Sequence, residues 1–74
     1  MDTNSFRAHL EARPFRAFTV QLNNGRALPV RHPEFAALTP RGWEVIIWTD
    51  DHHYEFVDLN AVSSLKVHRG RPTN

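Results

Sequence analysis

The chain has 74 residues, 41% of them hydrophobic, with a net charge of +1 and no cysteine. A single domain of that length buries only roughly 60% of its unfolded surface, and without cysteine neither a disulfide nor a thiolate metal site can reinforce it. No apolar run approaches the ~20 residues of a membrane-spanning helix, and the near-neutral charge gives no general argument for a polyanionic partner.

Thr3, Asn4 and Ser5 are candidate helix caps. After them Phe6 and Leu10 fall four apart, on one helix face, and Arg13-Pro14 ends the pattern because a residue before proline is pushed out of the α region. Residues 4–12 therefore predict a short helix that must lie on something else to be stable. Phe18, Val20 and Leu22 alternate with Thr19 and Gln21, the pattern of a half-buried strand. Asn23-Asn24-Gly25 predicts a type I′ hairpin turn. Residues 26–31 return as a strand with Leu28 and Val30 inward, while Pro29, having no N–H to donate, must face away from the ladder.

Pro33 interrupts that strand, which resumes over residues 34–38, so one long strand with a kink is expected, bending the sheet back on itself. Residues 39–42 read as a turn, 43–48 as a third strand, 50–52 as a turn and 54–57 as a fourth strand. Residues 58–61 make a single turn, and 63–68 a fifth strand with Leu65 and Val67 inward. One domain is expected over residues 1–69, followed by a disordered polar tail over 70–74.

The order of elements resembles the Sm-like fold, and the likeness rests on two places. Leu22-Asn23-Asn24-Gly25 looks like the L-x-x-G turn of the first Sm motif. Ala61-Val62-Ser63-Ser64 resembles the small-aliphatic-Ser-Thr stretch that opens the last strand of the bacterial host-factor RNA chaperones. The chain is also similar to a family of small uncharacterised bacterial proteins with an R-P-F-x-x-F…G-R…V-x-H-P-E-F signature, present as Arg13-Pro14-Phe15, Phe18, Gly25-Arg26 and Val30 through Phe35. These resemblances imply a mainly β protein, a small five-strand antiparallel Sm/SH3-like barrel with a short N-terminal α-helix. They do not carry over the uridine site. The Tyr-Lys-His segment of the host-factor proteins is replaced by Asp58, Leu59 and Asn60.

Charge is unevenly spread. Residues 7–31 hold five arginines and one acid, whereas residues 50–58 hold four acids and no Lys or Arg. Arg13, Arg16, Arg26, Arg31 and Arg69 are the candidate contacts for RNA, because a guanidinium forks onto phosphate oxygens. Asp50-Asp51-His52-His53 offers carboxylate and imidazole together, but consecutive extended residues point to opposite faces, and an Asp-rich hairpin turn accounts for it without a metal. His32-Pro33-Glu34 sets an imidazole near a carboxylate with no nucleophile or phosphate loop beside it. No cofactor, small-molecule substrate or enzymatic activity is inferred.

Residues 43–48 carry the strongest signal. Trp43, Val45 and Ile47 would line one face and Ile46 and Trp48 the other, leaving only Glu44 polar. A strand of a small antiparallel sheet should alternate cleanly, so something covers its second face. The N-terminal helix is one candidate and another chain the other. Exposed apolar groups of that size mark an interface. Trp43, Ile46, Trp48, Val57 and Leu59 are therefore the expected protein interface, in a cytoplasmic, non-enzymatic binding or scaffold module that forms a homo-oligomer or meets a partner protein. An Sm-like RNA-binding protein with a non-standard nucleotide site is the alternative, and no membrane association is expected.

Overall fold

The computed structural model describes residues 1–68; Arg69 and the tail 70–74 lie outside the described residues. One helix, α1 (Thr3–Glu11), precedes six strands: β1 (Phe18–Leu22), β2 (Ala27–Val30), β3 (Ala36–Leu38), β4 (Glu44–Trp48), β5 (Tyr54–Asp58) and β6 (Val62–Val67). They form two three-stranded antiparallel sheets, in the orders β2-β1-β6 and β3-β4-β5. The expected five-strand barrel is corrected on both counts: the described residues form six strands, and the two sheets do not close into a barrel. The extra strand arises at His32–Phe35. Pro33–Phe35 form a turn of 3-10 helix, so what reads as one kinked strand is two, and the chain leaves one sheet at Val30 and enters the other at Ala36. Phe35 is half-buried against the His32 ring, 5.5 Å away.

The cap of α1 is Asp2, one residue earlier than expected. Its Oδ2 accepts from the Ser5 backbone N–H at 3.2 Å and satisfies a donor that the first turn leaves without a partner. The first hairpin also differs in detail. Gly25 donates to the Leu22 carbonyl, Leu22 donates to that of Arg26, and Gly25 alone in the loop has positive φ, at 91°. This is a three-residue loop with a glycine bulge, in which Asn24 does not adopt the positive φ that a type I′ turn requires. Counting alternate bonded pairs from Leu22–Arg26 puts Pro29, opposite Thr19, at a non-bonded position. Its missing N–H faces the outer edge of β2, as its chemistry demands.

The core lies between the sheets. Phe18 and Val20 of β1, Val30 of β2, and Val45 and Ile47 of β4 are fully buried. They are joined by Phe6 of α1, whose ring meets that of Phe18 edge-on at 5.8 Å. The helix ties the two sheets together. Phe6 packs on β1, while the Met1 ammonium donates to the Leu59 carbonyl at 3.2 Å and Thr3 Oγ1 donates to that of Gly42. Among the described residues no helix is long and apolar enough to cross a membrane.

Candidate interface on the outer face of β3-β4-β5

The β4–β5 hairpin is set by its turn. Asp50 Oδ1 accepts from the backbone N–H of His52 at 2.7 Å and of His53 at 2.9 Å, and the Asp50 carboxylate also meets His53 Nδ1 at 2.9 Å. Hydrogen bonds from these backbone and ring groups hold the Asp50 carboxyl below its ordinary pKa. The side chains of Asp50 and His53 are thus engaged in forming the turn. Among the described residues no three His, Cys, Asp or Glu side chains converge as metal ligands.

With the turn so placed, Trp48 stands opposite Tyr54, Ile46 opposite Phe56 and Glu44 opposite Asp58. Val45 and Ile47 point inward, so these three pairs share the outer face. The Trp48 and Tyr54 rings lie 5.8 Å apart and those of Tyr54 and Phe56 6.2 Å apart. Trp48 is 36% exposed, Tyr54 56% and Phe56 58%, which makes a contiguous aromatic strip in water rather than scattered surface residues. Carboxylates close it at both ends, Glu44 and Asp58 at one and Asp50 and Asp51 at the other.

The N-terminal helix does not shelter this strip. Phe6 turns into the core, and Leu10 and Phe15 pack against the core's margin. Of the five expected interface residues, Ile46 and Trp48 lie on the outer face. Val57 and Leu59 do not: they are 5% and 3% exposed and belong to the core. Val57 pairs with Val45 on the inward side, and Leu59 opens a 3-10 turn, Leu59–Ala61, capped by Asp58. Trp43 is exposed but off the strand. It precedes β4, follows Gly42, whose φ is 77°, and lies outside the alternation that buries Val45 and Ile47. The Arg41 guanidinium lies over its ring at 5.4 Å, and the pair borders an open groove of about 500 Å³ with Glu44 and Asp58.

Sequence reasoning missed Tyr54 and Phe56. The signal was the Asp50-Asp51-His52-His53 turn itself. Once it pairs residue 48 with residue 54, period-2 alternation puts 54 and 56 on the face of 46 and 48.

Arg13, Arg16, Arg26 and Arg31 are all exposed, but Arg26 and Arg31 flank opposite ends of β2, roughly 17 Å apart at the rise of a strand. Arg13 is turned onto its own helix end, with Nη1 donating to the Ala12 carbonyl at 2.8 Å. Arg26 Nη2 donates to Glu55 Oε2 in the other sheet, and Arg69 lies outside the described residues. The segment aligned with the host-factor uridine site is committed to structure. Asp58 Oδ1 accepts from the Asn60 N–H at 2.8 Å, Leu59 is buried, and the Asn60 carbonyl accepts from Asn23 Nδ2 at 3.2 Å.

No protein-family model, curated protein or solved structure matches this chain.

Proposed function

We propose that this protein is a non-enzymatic binding module of the Sm/SH3-like kind, cytoplasmic, which self-associates through the β4–β5 part of its second sheet. The observation that carries the reading is the Trp48, Tyr54 and Phe56 strip, exposed on a domain whose helix is spent on the opposite task of filling the core. Large apolar patches of this kind on a small domain are interaction sites far more often than idle surface. The chain path supports the fold relationship. Counting β2 and β3 as the two arms of one bent strand gives the order β6-β1-β2/β3-β4-β5, which is that of a five-strand barrel opened between its last two strands.

Sedimentation equilibrium tests the reading. The wild type is expected to exceed its 8.6 kDa chain mass at high micromolar concentration. Trp48→Glu is expected to keep its circular dichroism spectrum and to sediment as a single chain. A wild type that stays monomeric over that range overturns the proposal.

A further inference from the structure

Among the described residues the two sheets leave four strand edges: β2 and β6 in the first, β3 and β5 in the second. An open edge is a template for another strand unless something blunts it. Three of the four are blunted. β2 carries Pro29 with its missing N–H outward, β3 is three residues long, and β6 carries Lys66 and a register break opposite Gln21 and Leu22. β5, Tyr54-Glu55-Phe56-Val57-Asp58, has five residues with no proline, no lysine and no bulge. Its one inward charge, Glu55, is answered by Arg26 of the same chain.

The register shows which backbone groups β5 offers. Thr49 donates to the His53 carbonyl at 2.9 Å and Leu59 to that of Trp43 at 2.9 Å, so the pairs 49–53 and 43–59 that flank β4 are bonded. Alternation makes 55 and 57 bonded as well, and turns the N–H and C=O of Tyr54, Phe56 and Asp58 away from β4. Among the described residues no strand pairs with them on that side; the Asp58 carbonyl also opens the 3-10 turn Leu59–Ala61 and keeps a second lone pair for another donor. The side chains of Tyr54 and Phe56 project from the same edge onto the aromatic strip.

Resting on the self-association reading above, we infer that the β5 edge pairs antiparallel with the β5 edge of a second copy, about a two-fold axis at Phe56. This register is self-complementary. Phe56 exchanges two backbone bonds with the partner's Phe56, and Tyr54 exchanges two with the partner's Asp58, at both ends, so every outward group of the strand finds a mate. Two phenylalanines become a directly opposed cross-strand pair, the aromatic kind that stabilises sheets. Charge agrees with the register. Each Asp58 stands opposite a tyrosine, and the two Asp58 residues are roughly 13 Å apart at four residues' rise. Stacking the two outer faces on each other would instead bring together strips that end in carboxylates on both sides. The product is one six-stranded sheet, β3-β4-β5 continued by its symmetry copy, and because the pairing uses up both edges it stops at two chains.

Phe56→Pro and Phe56→Ala, compared with the wild type by sedimentation, test this. The proline removes an N–H that has no acceptor within the chain, so the fold is expected to survive, as it does for edge-strand proline generally, while the dimer is lost. The alanine keeps the N–H and is expected to weaken the dimer without abolishing it. Amide hydrogen exchange of the wild type is the second readout, independent of how the variants fold. Protection of the Tyr54 and Phe56 amides is expected to rise with protein concentration. Phe56→Pro that dimerises like the wild type, amides that exchange freely at every concentration, or a mass that grows beyond two chains each overturns the β5 pairing. If Trp48→Glu still dissociates the assembly in those cases, self-association stands and only this mode falls. A monomeric wild type removes both.

Discussion

Arg26 and Glu55 bridge the two sheets. The guanidinium, just after the β1–β2 loop, donates from Nη2 to Oε2 of a half-buried carboxylate on β5. The hydrogen bond from Arg26 is the main reason that the Glu55 carboxyl sits below its ordinary pKa, against the opposing effect of partial desolvation.

The pH dependence follows from that direction. A carboxyl whose folded pKa is depressed contributes stability that is complete above the ordinary glutamate value of about 4.3 and is lost as the pH falls through the depressed value. Arg26→Gln is therefore expected to lower the urea midpoint slightly at neutral pH, and the gap to the wild type is expected to close in strong acid. Because Arg26 is solvent-exposed, the gap should also shrink with added salt. Denaturation curves over a pH series, with the Glu55 titration followed by NMR, check this. A gap that persists unchanged in strong acid would assign the effect of Arg26 to the packing of its stem.

Gly42 and Gly25 both have positive φ, at 77° and 91°, yet they are expected to respond differently to alanine. At Gly25 an added Cβ meets nothing within 4 Å, so only the conformational cost of about 1–2 kcal/mol applies. At Gly42 it would lie 2.9 Å from Thr3 Cγ2, on the residue that anchors α1 to the Gly42 carbonyl. Gly42→Ala is expected to cost more than Gly25→Ala, on the order of 2–3 kcal/mol, and to loosen the start of the helix. Chemical denaturation of the two variants side by side decides it; equal losses would mean that Thr3 moves aside freely.

Phe6 and Phe56 separate core from surface. Phe6 is fully buried on Phe18, whereas Phe56 is 58% exposed. Phe6→Ala is expected to cost about 3–5 kcal/mol, a large share of the roughly 4–11 kcal/mol that a domain of this size holds. Phe56→Ala is expected to stay within about 0.5 kcal/mol of the wild type for the isolated chain. Thermal denaturation at low concentration, where association does not contribute, gives both values. A severe loss in Phe56→Ala would place that ring in the monomer's core and weaken the interface reading.

Local patterns carried much of the fold. The alternation Phe18, Val20, Leu22 marks β1 to the residue, because a strand with one face in the core has a period of two whatever its neighbours are. Proline chemistry placed Pro29 on an outer edge, and the double-sided apolar character of β4 announced an exposed face at Ile46 and Trp48. What only the tertiary structure decided was non-local. Whether residues 26–38 form one strand or two depends on which sheet each half joins, and no periodicity within the segment states that. Val57 and Leu59 looked available because apolar identity does not reveal side. The Asp50 turn sets the register that turns Val57 inward, and the 3-10 turn after Asp58 folds Leu59 into the core. The helix, equally able by its sequence to cover either sheet, was directed by Phe18, whose ring receives Phe6. That choice left the Trp48, Tyr54 and Phe56 face open, because one short apolar stripe can fill a single gap and this one fills the gap between the sheets.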